Sequence, residues 1–280
     1  MSISCVAVLC VHNEEAHIRR AIGDFVEQGI EVAVIDHGST DRTAEICAGF
    51  LGNGLLSVER MPWTGEFDLT AQLQAKRELV DRLGHDWVIH ADADERMHTG
   101  VQGESLLDGI RRVSTLGYNA VNFEEFVFLP EPGDREPPMD CRWELLNYYF
   151  FAPRERRLMR AWRRQNAFDN EASGGHFLAG ADLRLAPESF VLRHYIVLSQ
   201  KHAIQKYASR VFAGRDLEKG WHDNRRNLAA ERLRLPDPAV LERLRDWRSV
   251  EFDRSRPKAL HFWDWPLADR GLDSVSAGHG

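Results

Sequence analysis

The chain has 280 residues, 43% hydrophobic and 28% charged, with a net charge of -7. That balance suits a soluble globular protein with a sizeable core and argues against a general attraction to nucleic acid or anionic membrane. No apolar run approaches the roughly 18 residues of a membrane-spanning helix, and residues 3–11 read as a strand rather than a signal segment.

Cys5, Cys10, Cys47 and Cys141 lack paired metal-ligand spacing and read as buried reduced thiols of a cytoplasmic protein. Residues 3–11 form an apolar strand rich in β-branched side chains. Residues 14–28 follow with Ala16, Ile18, Ala21, Ile22, Phe25 and Val26 at near-helical spacing, ended by Gly29. Residues 31–35 give a second strand, and 40–51 a second helix stopped by Gly52. A third strand at 55–58 precedes a third helix at 67–83, striped by Leu69, Leu73, Leu79, Val80 and Leu83. Residues 87–91 give a fourth strand. This alternation predicts an α/β fold with a mostly parallel, Rossmann-like sheet covered by helices on both faces. Ligands of such sheets bind at the carboxyl ends of the strands.

Polar clusters stand at three of those ends: His12-Asn13-Glu14, Asp36 to Asp41, and Asp92 to Glu95. In an extended segment Asp92 and Asp94 point to the same side. Two carboxylates with no Lys or Arg between them repel each other, unless a hard divalent cation sits between them. Such a cation keeps open positions that substrate phosphate oxygens fill. The bland alternative is a solvated acidic turn. There is no G-x-G-x-x-G after the first strand and no G-x-x-x-x-G-K-[ST], which argues against a dinucleotide site or a P-loop.

Asn13-Glu14-Glu15, Asp36-x-Gly38-Ser39-Thr40-Asp41-x-Thr43 and Asp92-x-Asp94-Glu95 resemble the glycosyltransferase family 2 pattern on a GT-A fold. Order and spacing match over about the first hundred residues. The resemblance implies a nucleoside-diphosphate sugar donor and Mn2+ or Mg2+ as cofactor. It assigns Asp36 to the base or ribose, Asp92 to the ribose or metal, and Asp94 to the metal. It adds donor contacts at Val11, Asn13, Glu14, Ser39, Lys76 and Ala93, and a distal metal ligand at His194. His37 stands where many members carry a second acid or Asn, which leaves the base preference open. The implied reaction breaks the anomeric C–O bond with the diphosphate as leaving group. Inversion also needs a proton acceptor on the opposite face.

The second half reads less sharply. Residues 101–116 form a helix and 119–129 an extended segment; 130–138 is a loop, either a lid or plain surface. Residues 156–164 read as an edge strand with a solvated basic face in preference to a phosphate patch. Residues 169–176 are polar and glycine-rich, so Glu171 and Asp169, with His176 third, are candidates for the base; a turn with capping acids is the alternative. Residues 190–197 form a strand carrying Arg193, His194 and Tyr195. Ser199 caps a helix running to about residue 213, whose Lys206 and Arg210 either neutralise a diphosphate or face solvent. From residue 218 the chain reads as an amphipathic helical extension, broken at Pro236 and Pro238, that packs on the core or on a second subunit, leaving a homodimer open.

These readings divide the chain into a nucleotide-sugar half (1–130), an acceptor half (131–215), a helical extension (216–268) and a disordered tail (269–280). The acceptor stays open among a glycan, a lipid-linked sugar, a peptide, a metabolite or a modified nucleobase. A nucleotidyltransferase, which would usually show a Gly- and Arg-rich loop after the first strand, and a non-catalytic sugar-nucleotide-binding module are the competing functions.

Overall fold

The computed structural model describes residues 3–131, 144–208 and 210–272. Most of the loop at 130–138, Cys141 and most of the tail from 269 lie outside the described residues.

The first half alternates strand and helix: β1 (Cys5–Val11), α1 (Ile18–Glu27), β2 (Glu31–Asp36), α2 (Thr43–Ala48), β3 (Leu55–Arg60), α3 (Leu69–Arg82) and β4 (Trp87–Ala91). β4, β1, β2 and β3 lie side by side in parallel. β1 shows why both faces are covered. Cys5, Ala7, Leu9 and Val11 pack into one apolar cluster with α1 and α2, while Val6, Val8 and Cys10 pack into another with Leu79 and Val80 of α3. A strand buried on both faces reads as a continuous apolar run, as this one does. The expected α/β fold with a parallel central sheet is borne out.

The sheet continues with β5 (Glu95–His98), α4 (Leu106–Thr115), β6 (Ala120–Leu129), β7 (Asn147–Phe151), β8 (Leu158–Arg163), β9 (Leu185–His194) and α5 (Gln200–Tyr207). β8 lies antiparallel between β4 and β6. β9 runs parallel to β6 and antiparallel to β5, so that Glu95 lies opposite His194. This pairing returns the chain to the end of β4, where the acids are.

Two expectations are corrected. Residues 156–164 are not an edge strand with a solvated face: β8 is internal and Arg160 is buried. The sequence pattern missed this because the partners that make a buried guanidinium tolerable lie more than 60 residues away. The extension is not helical either. Beyond α6 (Gly214–Glu218) it consists of short 3-10 turns and β10 (Glu242–Arg243). Prolines at 236, 238, 257 and 266 interrupt helical hydrogen bonding. Buried arginines bind the backbone carbonyls instead. Arg270 donates to the carbonyls of Arg232, Trp263 and Trp265, and Arg193 to those of Trp247 and Ser249. Phe262, Trp263 and Trp265 pack with Tyr149, Tyr207 and Val127, closing the second half of the sheet. Among the described residues no helix is long and apolar enough to cross a membrane.

Candidate active site

The turns after β1 and β2 are tied together. Asn13 adopts the left-handed conformation (φ 55°), and its side-chain oxygen accepts from the backbone N–H of Thr40 at 2.8 Å and of Asp41 at 3.3 Å. Its own N–H donates to Ser39 Oγ at 3.0 Å, and the Val11 carbonyl accepts from His37 N–H at 2.8 Å. Glu14 N–H donates to Thr43 Oγ1 at 2.8 Å, and Glu15 N–H to Asp41 at 3.0 Å, so α1 begins only at Ile18. Val11, Asn13 and Ser39 therefore join the two turns.

Asp36 is fully buried at the end of β2. One oxygen accepts from Ser39 N–H at 2.9 Å; the other has no hydrogen bond, with Arg60 Nε 3.6 Å away. A buried acceptor left unmet is costly, so this oxygen suits a ligand N–H or O–H. His12 stacks on Trp63 at 3.8 Å, an arrangement with no local sequence signal. Gly38 makes the approach feasible: φ is +66°, and a Cβ there would stand 2.7 Å from the Trp63 Cβ. His37 is held down by burial and by His12.

The acids after β4 form a charge network. Asp92 lies 3.4 Å from both Lys76 Nζ and Arg160 Nη2, and its N–H donates to Glu95 at 3.0 Å. Lys76 also donates to the Ala91 carbonyl at 3.0 Å, and Arg160 to Glu95 at 2.9 Å. Burial raises the Asp92 carboxyl, but Lys76 and Arg160 outweigh it and hold the group below its usual range. Burial pushes Glu95 up to about 7 against the pull of Arg160. Ala93 is buried between the two acids.

Asp94 is buried and receives the Lys206 ammonium at 2.6 Å and His194 Nε2 at 3.4 Å on one oxygen. His194 Nδ1 donates to Glu125 at 2.6 Å, and Arg157 holds Glu125 from its other side at 2.5 Å. Burial would depress His194, but Asp94 and Glu125 outweigh it and hold it well above its ordinary value. Glu14 faces the same cluster and is pushed up to about 7 by burial, with Lys206 opposing. Sequence reasoning missed Glu125, Arg157 and Arg160. A usable signal was present at Glu125, an acid inside an apolar strand that requires a buried partner.

The candidates at 169–176 are divided. Glu171 pairs with Arg77 at 3.0 Å, and Asp169 accepts from Glu171 N–H at 2.8 Å in an exposed turn. No contact joins either acid to Asp92 or Asp94. His176 lines a cavity of about 320 Å³ with Pro153, Arg154, Arg157, Ser173 and Phe177. Its Nδ1 is buried without a partner, and burial pushes it down to about 3.

Asp92, Asp94 and His194 are of the donor types that divalent cations take. Asp94 and His194 converge, Asp92 adds a half-exposed carboxylate, and the Glu125–His194 bond is the outer contact that orients metal-binding imidazoles. Among the described residues no three His, Cys, Asp or Glu side chains already surround one point. A cation held by one or two carboxylates, with phosphate oxygens completing its shell, suits this partial set.

Residues 6–115 match the model of glycosyl transferase family 2, bearing out the resemblance over that segment. A lipopolysaccharide core biosynthesis glycosyltransferase, LpsC of Rhizobium meliloti (strain 1021), is 29% identical over 91 residues, which are 32% of this chain and 31% of LpsC. The chain thus spans about a third of the length of this curated relative. Among solved structures, S. aureus TarS 1–349 aligns at 12% identity and a TM-score of 0.42, over 69% of this chain and 60% of TarS. Glucosyl-3-phosphoglycerate synthase from Mycobacterium tuberculosis, solved with Mn2+, UDP and phosphoglyceric acid, aligns at 21% identity and a TM-score of 0.29, over 45% of this chain and 43% of that one.

Proposed function

We propose that the chain is a metal-dependent, inverting glycosyltransferase that moves a sugar from a nucleoside-diphosphate sugar to an acceptor. The observations that support this reading are the tying together of the turns after β1 and β2, the Asp36 oxygen without a hydrogen bond, and the contact of Asp94 with His194 after β4. In this reading Asp36 accepts from the base or ribose. Asp92 reaches the ribose or the cation, and Asp94 and His194 hold Mn2+ or Mg2+. A bound cation supplies Lewis acidity toward the departing diphosphate.

The protein's own cations do the rest. Lys76 and Arg160 hold Asp92 charged and oriented. His176, facing the cavity, orients the acceptor, and Asp169 or Glu171 receives its proton; Glu171 does so only by leaving Arg77. The buried free thiols Cys5, Cys10 and Cys47 support a cytoplasmic setting.

The test is a screen of nucleoside-diphosphate sugars for Mn2+- or Mg2+-dependent release of the nucleoside diphosphate, with Asp94→Asn as control. Turnover that survives both EDTA and Asp94→Asn removes the metal from the reading. Failure of every such sugar to bind or turn over removes the transferase.

A further inference from the structure

The Lys206 ammonium occupies the Asp94 oxygen that faces His194. Both the lysine and aspartate side chains are 9% exposed, so this contact is not a solvated surface pair. Around it four carboxylates and four side-chain cations are already paired, with the His194 imidazole beside them. Asp92, Asp94, Glu95 and Glu125 face Lys76, Arg157, Arg160 and Lys206, each carboxylate within 3.4 Å of at least one of these cations. A divalent cation arriving alone meets an ammonium on its chief ligand. Displacing that ammonium takes away its 2.6 Å partner and leaves it buried beside two added positive charges. A buried charge that loses its close partner is strongly disfavoured. A cation arriving with a diphosphate meets no such obstacle, because the diphosphate brings new acceptors for the ammonium.

We propose that Lys206 is a placeholder for the divalent cation. It covers Asp94 while the site is empty and transfers to the diphosphate when cation and nucleotide bind together, so that each requires the other. This rests on the proposed metal-dependent reading and adds an order to it: the cation binds poorly alone, and Lys206 is the cause. The position of Lys206 on the last turn of α5 supports this, since Ser199 caps the helix firmly while the lysine's four-carbon stem supplies the reach.

The experiment measures Mn2+ binding by the loss of free-ion electron paramagnetic resonance signal, with and without UDP as probe, in wild-type protein, Lys206→Gln and Lys206→Arg. Without UDP, Lys206→Gln is expected to bind Mn2+ at least about tenfold more tightly than wild type, and Lys206→Arg to stay weak. UDP should tighten Mn2+ strongly in wild type and much less in Lys206→Gln, and by linkage Mn2+ should tighten UDP by the same factors. Equal Mn2+ affinity in wild type and Lys206→Gln without UDP overturns the placeholder while leaving the metal reading standing. Absence of Mn2+ binding in every protein, with and without UDP, overturns both. A second measurement needs no variant. In wild type the Lys206 Cε resonance should move when Mg2+ and UDP are added together and stay in place with Mg2+ alone; a fixed resonance with both bound rejects the exchange.

Discussion

Glu125 accepts a 2.6 Å hydrogen bond from Nδ1 of His194, which fixes the imidazole with Nε2 toward Asp94. The carboxylate is buried and held by Arg157, and despite burial its charge is favoured, its carboxyl lying well below the usual range. Outer carboxylates of this kind orient metal-binding histidines and raise their basicity. Glu125→Gln should therefore lower Mn2+ affinity about 10–100-fold in the presence of UDP. Arg157→Met, which leaves the Glu125–His194 bond in place, should lower it far less. Calorimetry showing unchanged Mn2+ affinity in Glu125→Gln would remove His194 from the metal shell.

Gly38 bears on the proposed nucleoside end. A side chain there faces both an unfavourable φ and the backbone N of Trp63 at 2.9 Å. Gly38→Ala should cost about 1–3 kcal/mol of stability from the left-handed backbone. It should also displace Trp63 from His12 and weaken nucleoside-diphosphate binding. Urea unfolding and calorimetry read the two effects; a variant with normal stability and normal UDP affinity contradicts the packing described.

Arg160 bridges Asp92 and Glu95 from an internal strand. Arg160→Met leaves the buried Glu95, already held up at about 7, to take up a proton, and the loss of its charged hydrogen bond should cost about 1.5–3 kcal/mol. Arg160→Met combined with Glu95→Gln should recover much of that loss, because Gln needs no charged partner. Additive losses in a double-mutant cycle would mean that the bridge is not the source.

The sequence made one half of this site legible and concealed the other, for physical reasons. Asp36, Asp92 and Asp94 each end an apolar run, where a parallel sheet delivers its ligands, so strand periodicity alone located them. Arg160 and Glu125 lie within strands whose position depends on long-range pairing, and His194, in another such strand, was reached only through the family resemblance. β8 enters between β4 and β6, and β9 returns between β5 and β6. Nothing local to residues 156–164 distinguishes an internal strand with one neutralised arginine from an edge strand with a wet face. The extension misled differently. Its tryptophans and arginines have an amphipathic pattern, but prolines and arginine-to-carbonyl bonds hold it as turns, which periodicity does not encode.

Glu104 and Arg112 give a pH-dependent prediction away from the site. Arg112 grips Glu104 through two bonds of 2.8 and 3.0 Å. The arginine hydrogen bond, with a smaller contribution from Thr99, holds the Glu104 carboxyl below its ordinary value. A carboxyl depressed in the folded state adds stability that is present above its unfolded value, about 4.3. That stability is lost as pH falls through the lower folded value. Glu104→Gln should therefore cost about 1 kcal/mol at pH near 7, allowing for the partial exposure of Arg112. The gap between the two proteins should persist to about pH 5 and narrow below about pH 4. Urea midpoints measured across that range decide it: a gap of constant size from neutral to acid pH would show that the charge on Glu104 contributes nothing to the fold.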